Sequence, residues 1–299
     1  MSKFTKIIRS FPGLLSEIVL TKRNPNYVIS LESHYAMRKL HIVTGGYSTE
    51  LIARYLYPKK KSKIEWAEGI KFIGNFKADF DVDGLTRLPC FSRTFGRLPQ
   101  LKKQSVDDVL ESNPGVARID VAQPDLYGDL NTAKFILRNE FESLAREIMG
   151  VSPCAVNVSA WWSLPTTKGR KELSKAAQMW HRDIDHLREI KFFCFATDVS
   201  IDNGPFQFLE SSHLPRLRYC STSDGRVSEE WVEKKFSDHN IRSTVANAGD
   251  VFVVDTHGLH RGCPVLAGRR LVLQLHFSYS IFGVEGLVRP RIKLDPEWP

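Results

Sequence analysis

Near residue 150 the spacing of apolar residues changes from that of helices to that of short strands, and it stays so almost to the end of the chain. Before the change, residues 129 to 149 place Leu130, Ala133, Ile136, Leu137, Phe141, Leu144 and Ile148 at helical spacing. Asp129 or Asn131 stands where a cap is needed and Gly150 lies just past the end, so the spacing predicts one helix. After it come short β-branched and aromatic runs divided by turn residues, and the predicted strands lie near 154–162, 178–184, 190–199, 205–210, 241–246, 250–256, 258–263 and 269–279. Asn203-Gly204 suits a hairpin turn, and 214–240 reads as an insertion with a helix from Val227 to Phe236. Short strands divided by turn residues in this way are the pattern of an antiparallel barrel or jelly roll.

The fold class expected is therefore mainly β with flanking helices: a double-stranded β-helix (jelly roll, cupin-like) core with an N-terminal mixed or helical extension. Residues 1–124 are expected to form the extension and 125–299 the core, within one continuous domain. Amphipathic helices are expected near 13–21 and 47–57, and no chemistry is assigned to the region. A chain of 299 residues, 42% of them apolar, can bury such a core.

A net charge of +8 invites a nucleic-acid or acidic-surface reading. The basic residues are scattered, however, and the runs at Lys59, Lys60, Lys61 and Lys63, at Lys102 and Lys103, and at Lys168, Arg170 and Lys171 are not interleaved with aromatic side chains. No nucleic-acid partner is expected. Five cysteines (Cys90, Cys154, Cys194, Cys220 and Cys263) lack the pairing of a disulfide or structural-zinc framework, and Pro12, Ser16 and Glu17 break any signal-peptide core. With no apolar run long enough to span a membrane, a cytoplasmic location is expected. Asp79, Asp81, Asp83 and Gly84 begin like a calcium loop, but Cys90 stands where its closing glutamate belongs.

The chemistry concentrates in the strand region. His181 and Asp183 are separated by one residue on a predicted strand, so both side chains point to one side. His260 follows a predicted tight turn at His257-Gly258, which in a jelly roll returns it beside the first pair; His257 is the competing third ligand. Two histidines and one carboxylate on one face of Fe(II) leave positions open for dioxygen and a chelating cosubstrate. In the last predicted strand Leu271, Leu273, Leu275 and Phe277 form one face, and Arg270, Val272, Gln274 and His276 the other. Arg270 then points into the barrel mouth, where a dicarboxylate would pair with its guanidinium, and Arg269 points outward. Asn157, Ser159 and Trp161 share one face of the first strand and are candidates for cosubstrate (Asn157) and substrate (Trp161) contacts. Asn157 also opens a glycosylation sequon, which matters only in a secreted protein. Asp185 and Asp255 are candidate acceptors for the distal nitrogens of the ligand histidines. Residues 163–178 read as a polar lid whose Lys168, Arg170 and Lys171 would attract an anionic substrate.

WHRDID at 180–185, FFCFATDVS with NGPFQFLESSH at 192–213, DTHGLHRG at 255–262 and GRRLVLQ at 268–274 occur in that order. Together they resemble the phytanoyl-CoA dioxygenase family of Fe(II)- and 2-oxoglutarate-dependent oxygenases, over about residues 125–283. The resemblance implies that His181, Asp183 and His260 hold iron and that Arg270 binds the distal carboxylate of 2-oxoglutarate. It also implies O2 as second cosubstrate, and hydroxylation of a small or carrier-linked organic substrate with release of succinate and CO2. Halogenating relatives have a small residue in place of the carboxylate ligand, whereas Asp183 is present here. Two alternatives stay open: a catalytically silent jelly-roll binding protein whose basic surface takes an acidic partner, and a cupin-like metal isomerase, which has no need of Arg270.

Overall fold

The computed structural model describes residues 3–24, 29–44, 46–56, 67–91, 104–150, 153–184, 186–214, 226–237 and 239–278. Ten strands are seen among them: β1 (Ile70–Asn75), β2 (Cys90–Phe91), β3 (Arg118–Val121), β4 (Cys154–Ser163), β5 (Glu189–Phe195), β6 (Phe206–Leu209), β7 (Ile241–Thr244), β8 (Asp250–Val254), β9 (His260–Gly262) and β10 (Arg270–Ser278). They form a seven-stranded sheet in the order β1-β8-β5-β10-β4-β3-β2 and a three-stranded sheet in the order β7-β6-β9. All the pairings are antiparallel, and the two sheets enclose the interior of a jelly roll.

The central strands β5, β8 and β10 of the larger sheet are buried on both faces, and the register sorts their side chains. Across β4, β10 and β5 the inward rows are Trp161, Val272 and Phe195; Ser159, Gln274 and Phe193; and Asn157, His276 and Lys191. The outward residues Leu271, Leu273, Leu275 and Phe277 pack with Phe135, Phe141, Ala145 and Ile148 of the flanking helices. Burying one apolar face under helices leaves the polar residues of the other face to line the interior, as the alternation in the sequence requires.

Seven of the eight expected strands are present. The segment 178–184 is not a strand; its ladder contacts are isolated bridges from His181 to His260 and to Arg226. The expected helix 129–149 is two, Leu130–Ile136 and Asn139–Met149, broken at Leu137-Arg138. Phe135 and Phe141 would point about 120° apart on one straight helix. The break brings their rings to a centroid distance of 5.2 Å in a T-shaped contact under the sheet. Asp129 supplies the first cap, accepting from the Thr132 backbone N–H at 2.8 Å, and Gly150 closes the second helix at φ 71°.

The region before residue 124 also contributes β1, β2 and β3 to the larger sheet, strands that the sequence pattern did not announce. Its first three helices run Lys3–Arg23, Leu31–Val43 and Tyr47–Leu56, the second unexpected. Leu14, Ile18, Met37 and Ala53 of these helices pack with Leu187, just before β5. Asp81, from the failed calcium motif, caps the helix Val82–Thr86 instead. Among the described residues no helix is long and apolar enough to cross a membrane, and Cys90, Cys194 and Cys263 are free thiols.

Candidate functional site

One backbone bridge assembles the centre. His181 and His260 exchange N–H···O bonds of 2.9 Å in each direction, so they stand directly opposite on one face and their rings lie 4.2 Å apart. Asp183, two residues on in extended chain, donates its N–H to the Thr256 carbonyl at 2.9 Å and reaches the same face. His181 Nε2 lies 3.8 Å from Asp183 Oδ1, and His260 Nε2 lies 3.6 Å from Asp183 Oδ2. These donor atoms are close enough together to hold one metal ion.

The imidazoles are prepared for that role. Nδ1 of His181 contacts the Met179 carbonyl at 2.8 Å and Nδ1 of His260 contacts the Gly258 carbonyl at 2.9 Å. A carbonyl only accepts, so each Nδ1 carries the proton and each Nε2 lone pair is left for a metal. Burial, the neighbouring His260 and Arg226 together lower the His181 pKa well below its ordinary value; burial lowers that of His260 as well. Burial opposes ionisation of Asp183, but the Lys191 ammonium, backed by His260 and His181, outweighs it and holds the carboxyl well below the usual range. The expected acceptors are therefore corrected: backbone carbonyls serve the two candidate ligand histidines because they lie two residues back on the same chain. Asp255 instead accepts the backbone N–H of His257 at 3.1 Å, and Asp185 lies outside the described residues.

His257 is turned away from the centre, its Nε2 3.1 Å from the His186 carbonyl. The turn that separates it from His260 is closed by Gly258 N–H donating to the Asp255 carbonyl at 2.9 Å. A Cβ on Gly258 would come within 2.4 Å of the Phe208 ring, which excludes any larger residue there. Arg182, between the two candidate ligands, points the opposite way and is buried. Its Nη1 donates to the carbonyls of Ser212 and His257, each at 2.6 Å, and so braces both flanking loops.

His181, Asp183, His260 and Arg270 line one cavity of about 220 Å³, together with Asn157, Ser159 and Trp161. Arg270 is fully enclosed. Its Nη2 donates to Ser163 Oγ at 3.0 Å, while Nε and Nη1 are buried with no protein acceptor. Burial lowers its pKa to about 10, which still leaves it a cation at neutral pH. A buried cation with two unanswered donors fits a carboxylate ligand. Gly262 makes room for it, since a Cβ there would sit 2.8 Å from Arg270 Nη2. Arg269 points outward to Asp107 at 3.1 Å, so the register of β10 is the one the alternation gave.

Lys168, Arg170 and Lys171 are exposed and do not line the cavity. The segment expected to be a polar lid contains a helix, Arg170–Lys175, and is tied down. Leu164 N–H and Gln178 Nε2 both donate to the Ala117 carbonyl, and Thr166 Oγ1 donates to the Gly115 carbonyl. The cavity's cations are instead Arg118, Lys175, Lys191 and Arg226, beside Arg270. Arg118 lies over the Trp161 ring at 4.1 Å and pairs with Asp120 at 2.6 Å. Lys191 had a signal in the sequence: a lysine inside the apolar run of β5, where a buried position needs a partner.

Among solved structures, the chain is similar to HygX from Streptomyces hygroscopicus, crystallised with nickel, 2-oxoglutarate and hygromycin B. The identity is 11%, with 71% of this chain and 83% of that one covered and a TM-score of 0.45. SnoN, an α-ketoglutarate-dependent epimerase of nogalamycin biosynthesis, has 14% identity over 77% of this chain and 88% of its own, with a TM-score of 0.47. AviO1 from Streptomyces viridochromogenes Tue57 has 14% identity over 81% and 84%, with a TM-score of 0.38. No curated protein sequence matches the chain. The family model for phytanoyl-CoA dioxygenase matches residues 90–270, more than half of the chain and inclusive of every residue of the centre just described. The protein belongs to the phytanoyl-CoA dioxygenase family.

Proposed function

We propose that this protein is a non-haem iron- and 2-oxoglutarate-dependent oxygenase that hydroxylates a small or carrier-linked organic anion. The observation that carries this reading is the pairing, on one cavity, of three metal-ligand side chains with a buried arginine that lacks a carboxylate partner. In this reading His181, Asp183 and His260 ligate iron, and Arg270 with Ser163 takes the distal carboxylate of 2-oxoglutarate. When bound, iron and 2-oxoglutarate together supply the oxidant, with 2-oxoglutarate leaving as succinate and CO2.

The chain's own residues do the rest. The carbonyls of Met179 and Gly258 hold the two imidazoles in the ligating tautomer. Asn157, Ser159 and Gln274 line the interior between the triad and Arg270, and Trp161, Phe193, Phe195 and Phe206 provide apolar wall that limits water. Arg118, Lys175 and Arg226 favour an anionic substrate, a role first expected of Lys168, Arg170 and Lys171.

The test is succinate formation by the iron-loaded protein with 2-oxoglutarate across a metabolite library, with mass spectrometry of each hit for the gain of one oxygen. A hit among anionic compounds is expected. Absence of any succinate, with iron and 2-oxoglutarate bound, would instead make the protein a silent binding module.

A further inference from the structure

Asp183 carries a contact that ligation does not use. Lys191 Nζ lies 2.7 Å from its Oδ2. Lys191 stands on the inner face of β5 opposite His276 of β10, and Glu189 lies two residues before it on the same face. From Lys191 Nζ to Glu189 Oε2 is 3.8 Å, and Glu189 Oε2 is 2.6 Å from His276 Nε2. The His186 ring meets His276 edge-on at 4.8 Å. The side chains of Glu189 and His276 are 0% and 1% exposed, and that of Lys191 is 11% exposed. An ammonium so enclosed needs anions, and here it is held between two.

His186, Glu189 and His276 are themselves residues that ligate metals, with donor atoms within 4.8 Å of one another. Two ligands on one tetrahedral ion would stand roughly 3.4 Å apart. Glu189 and His276 are at 2.6 Å, an ion-pair contact too close to admit an ion between them, whereas the separations around Asp183 are 3.6 and 3.8 Å and leave space for an ion. The inner cluster is an anchor: His276 fixes Glu189, Glu189 faces Lys191, and Lys191 faces Asp183.

We propose that Lys191 is a positioning residue for Asp183: its ammonium, held also by Glu189, keeps Oδ2 off the metal so that Asp183 binds through Oδ1 alone. The inference rests on the iron reading given above. Oδ1 lies toward His181 and Oδ2 toward His260, so both oxygens are within reach of an ion between the histidines. A carboxylate that chelated through both would occupy a position that 2-oxoglutarate or dioxygen needs.

The experiment titrates wild-type, Lys191→Met and Lys191→Arg proteins with Mn(II) under nitrogen, then titrates the metal-loaded proteins with 2-oxoglutarate by calorimetry. Lys191→Met removes a cation from beside the metal, so Mn(II) should bind as tightly as in wild type or more so. 2-Oxoglutarate should bind at least about tenfold more weakly, and Lys191→Arg should recover most of that loss. Unchanged 2-oxoglutarate affinity would overturn the proposal, as would metal and 2-oxoglutarate affinities falling together, the result of a merely structural lysine. Should Lys191→Met fail to fold, Lys191→Gln is read the same way, with an expected split of about threefold. A second metal equivalent per chain, lost in His276→Gln, would also overturn it, making the inner cluster a metal site. A wild-type protein that binds no Mn(II) or Fe(II) would sink the iron reading itself.

Discussion

Nε and Nη1 of Arg270 have no protein acceptor, while Nη2 is held by Ser163. Arg270→Leu should therefore weaken 2-oxoglutarate binding by about 2 to 5 kcal/mol, the cost of leaving a buried charge pair half made. Arg269→Leu, on the outer face beside Asp107, should change it little. Titration of both variants with 2-oxoglutarate checks this, and a larger effect at Arg269 would contradict the register of β10. Gly262→Ala tests the same guanidinium from its other side. The added methyl would stand 2.8 Å from Nη2, so the 2-oxoglutarate KM should rise several-fold with little change in Tm. At the metal, His181→Ala should abolish iron binding and turnover, measured by metal analysis and succinate release. Turnover that survives Asp183→Gly would remove the carboxylate from the ligand set.

At the scale of the elements, the centre depends on segments that are not themselves regular. Residues 178–184 join the smaller sheet by one backbone bridge, His181 to His260, and the 209–214 and 255–260 loops are braced by Arg182. Arg182→Met deletes two charge-assisted bonds to buried carbonyls and should lower the unfolding free energy by about 3 kcal/mol, read by urea denaturation. Iron affinity should fall as well, since His181 and His260 are presented by those loops. The helices behind the sheet contribute stability rather than chemistry. Asp129→Ala removes the cap on Thr132 and should cost about 1 kcal/mol in the same measurement, with 2-oxoglutarate affinity unchanged.

Across the whole molecule, the N-terminal helices adjoin the far end of the interior through Leu187 and through an ion pair between Glu50 and Arg188. His34 of the second helix is buried there and neither ring nitrogen has a hydrogen-bond partner. Burial, then the charges of Arg38 and His186, lower its pKa from 6.5 to about 4. The folded state thus resists a proton that the unfolded chain accepts. The stability that His34 contributes is complete above pH 6.5 and is lost progressively as the pH falls toward 4. Urea unfolding at pH 7 and pH 5 should show a larger loss in wild type than in His34→Leu, and equal losses would contradict the burial of a neutral ring.

The strand alternation by itself determined the jelly roll, because period-two spacing in short runs leaves an antiparallel sheet as the only way to bury Leu271, Leu273, Leu275 and Phe277 on one side. The same alternation put Arg270 inside and Arg269 outside, and the order of His181, Asp183 and His260 gave the candidate ligands. Only tertiary structure decided what those residues meet. Strands β1, β2 and β3 are recruited by the sheet rather than by their own pattern, and the break at Leu137-Arg138 serves the contact of Phe135 with Phe141. Met179 and Gly258 act through backbone carbonyls, which carry no residue-type signal in a sequence. The cavity's cations come from β3, β5, the helix Arg170–Lys175 and residue 226, segments far apart along the chain. Lys191 reaches Asp183 because the segment 178–184 crosses the interior in front of the inner face of β5, and that proximity is a property of tertiary packing rather than of local spacing.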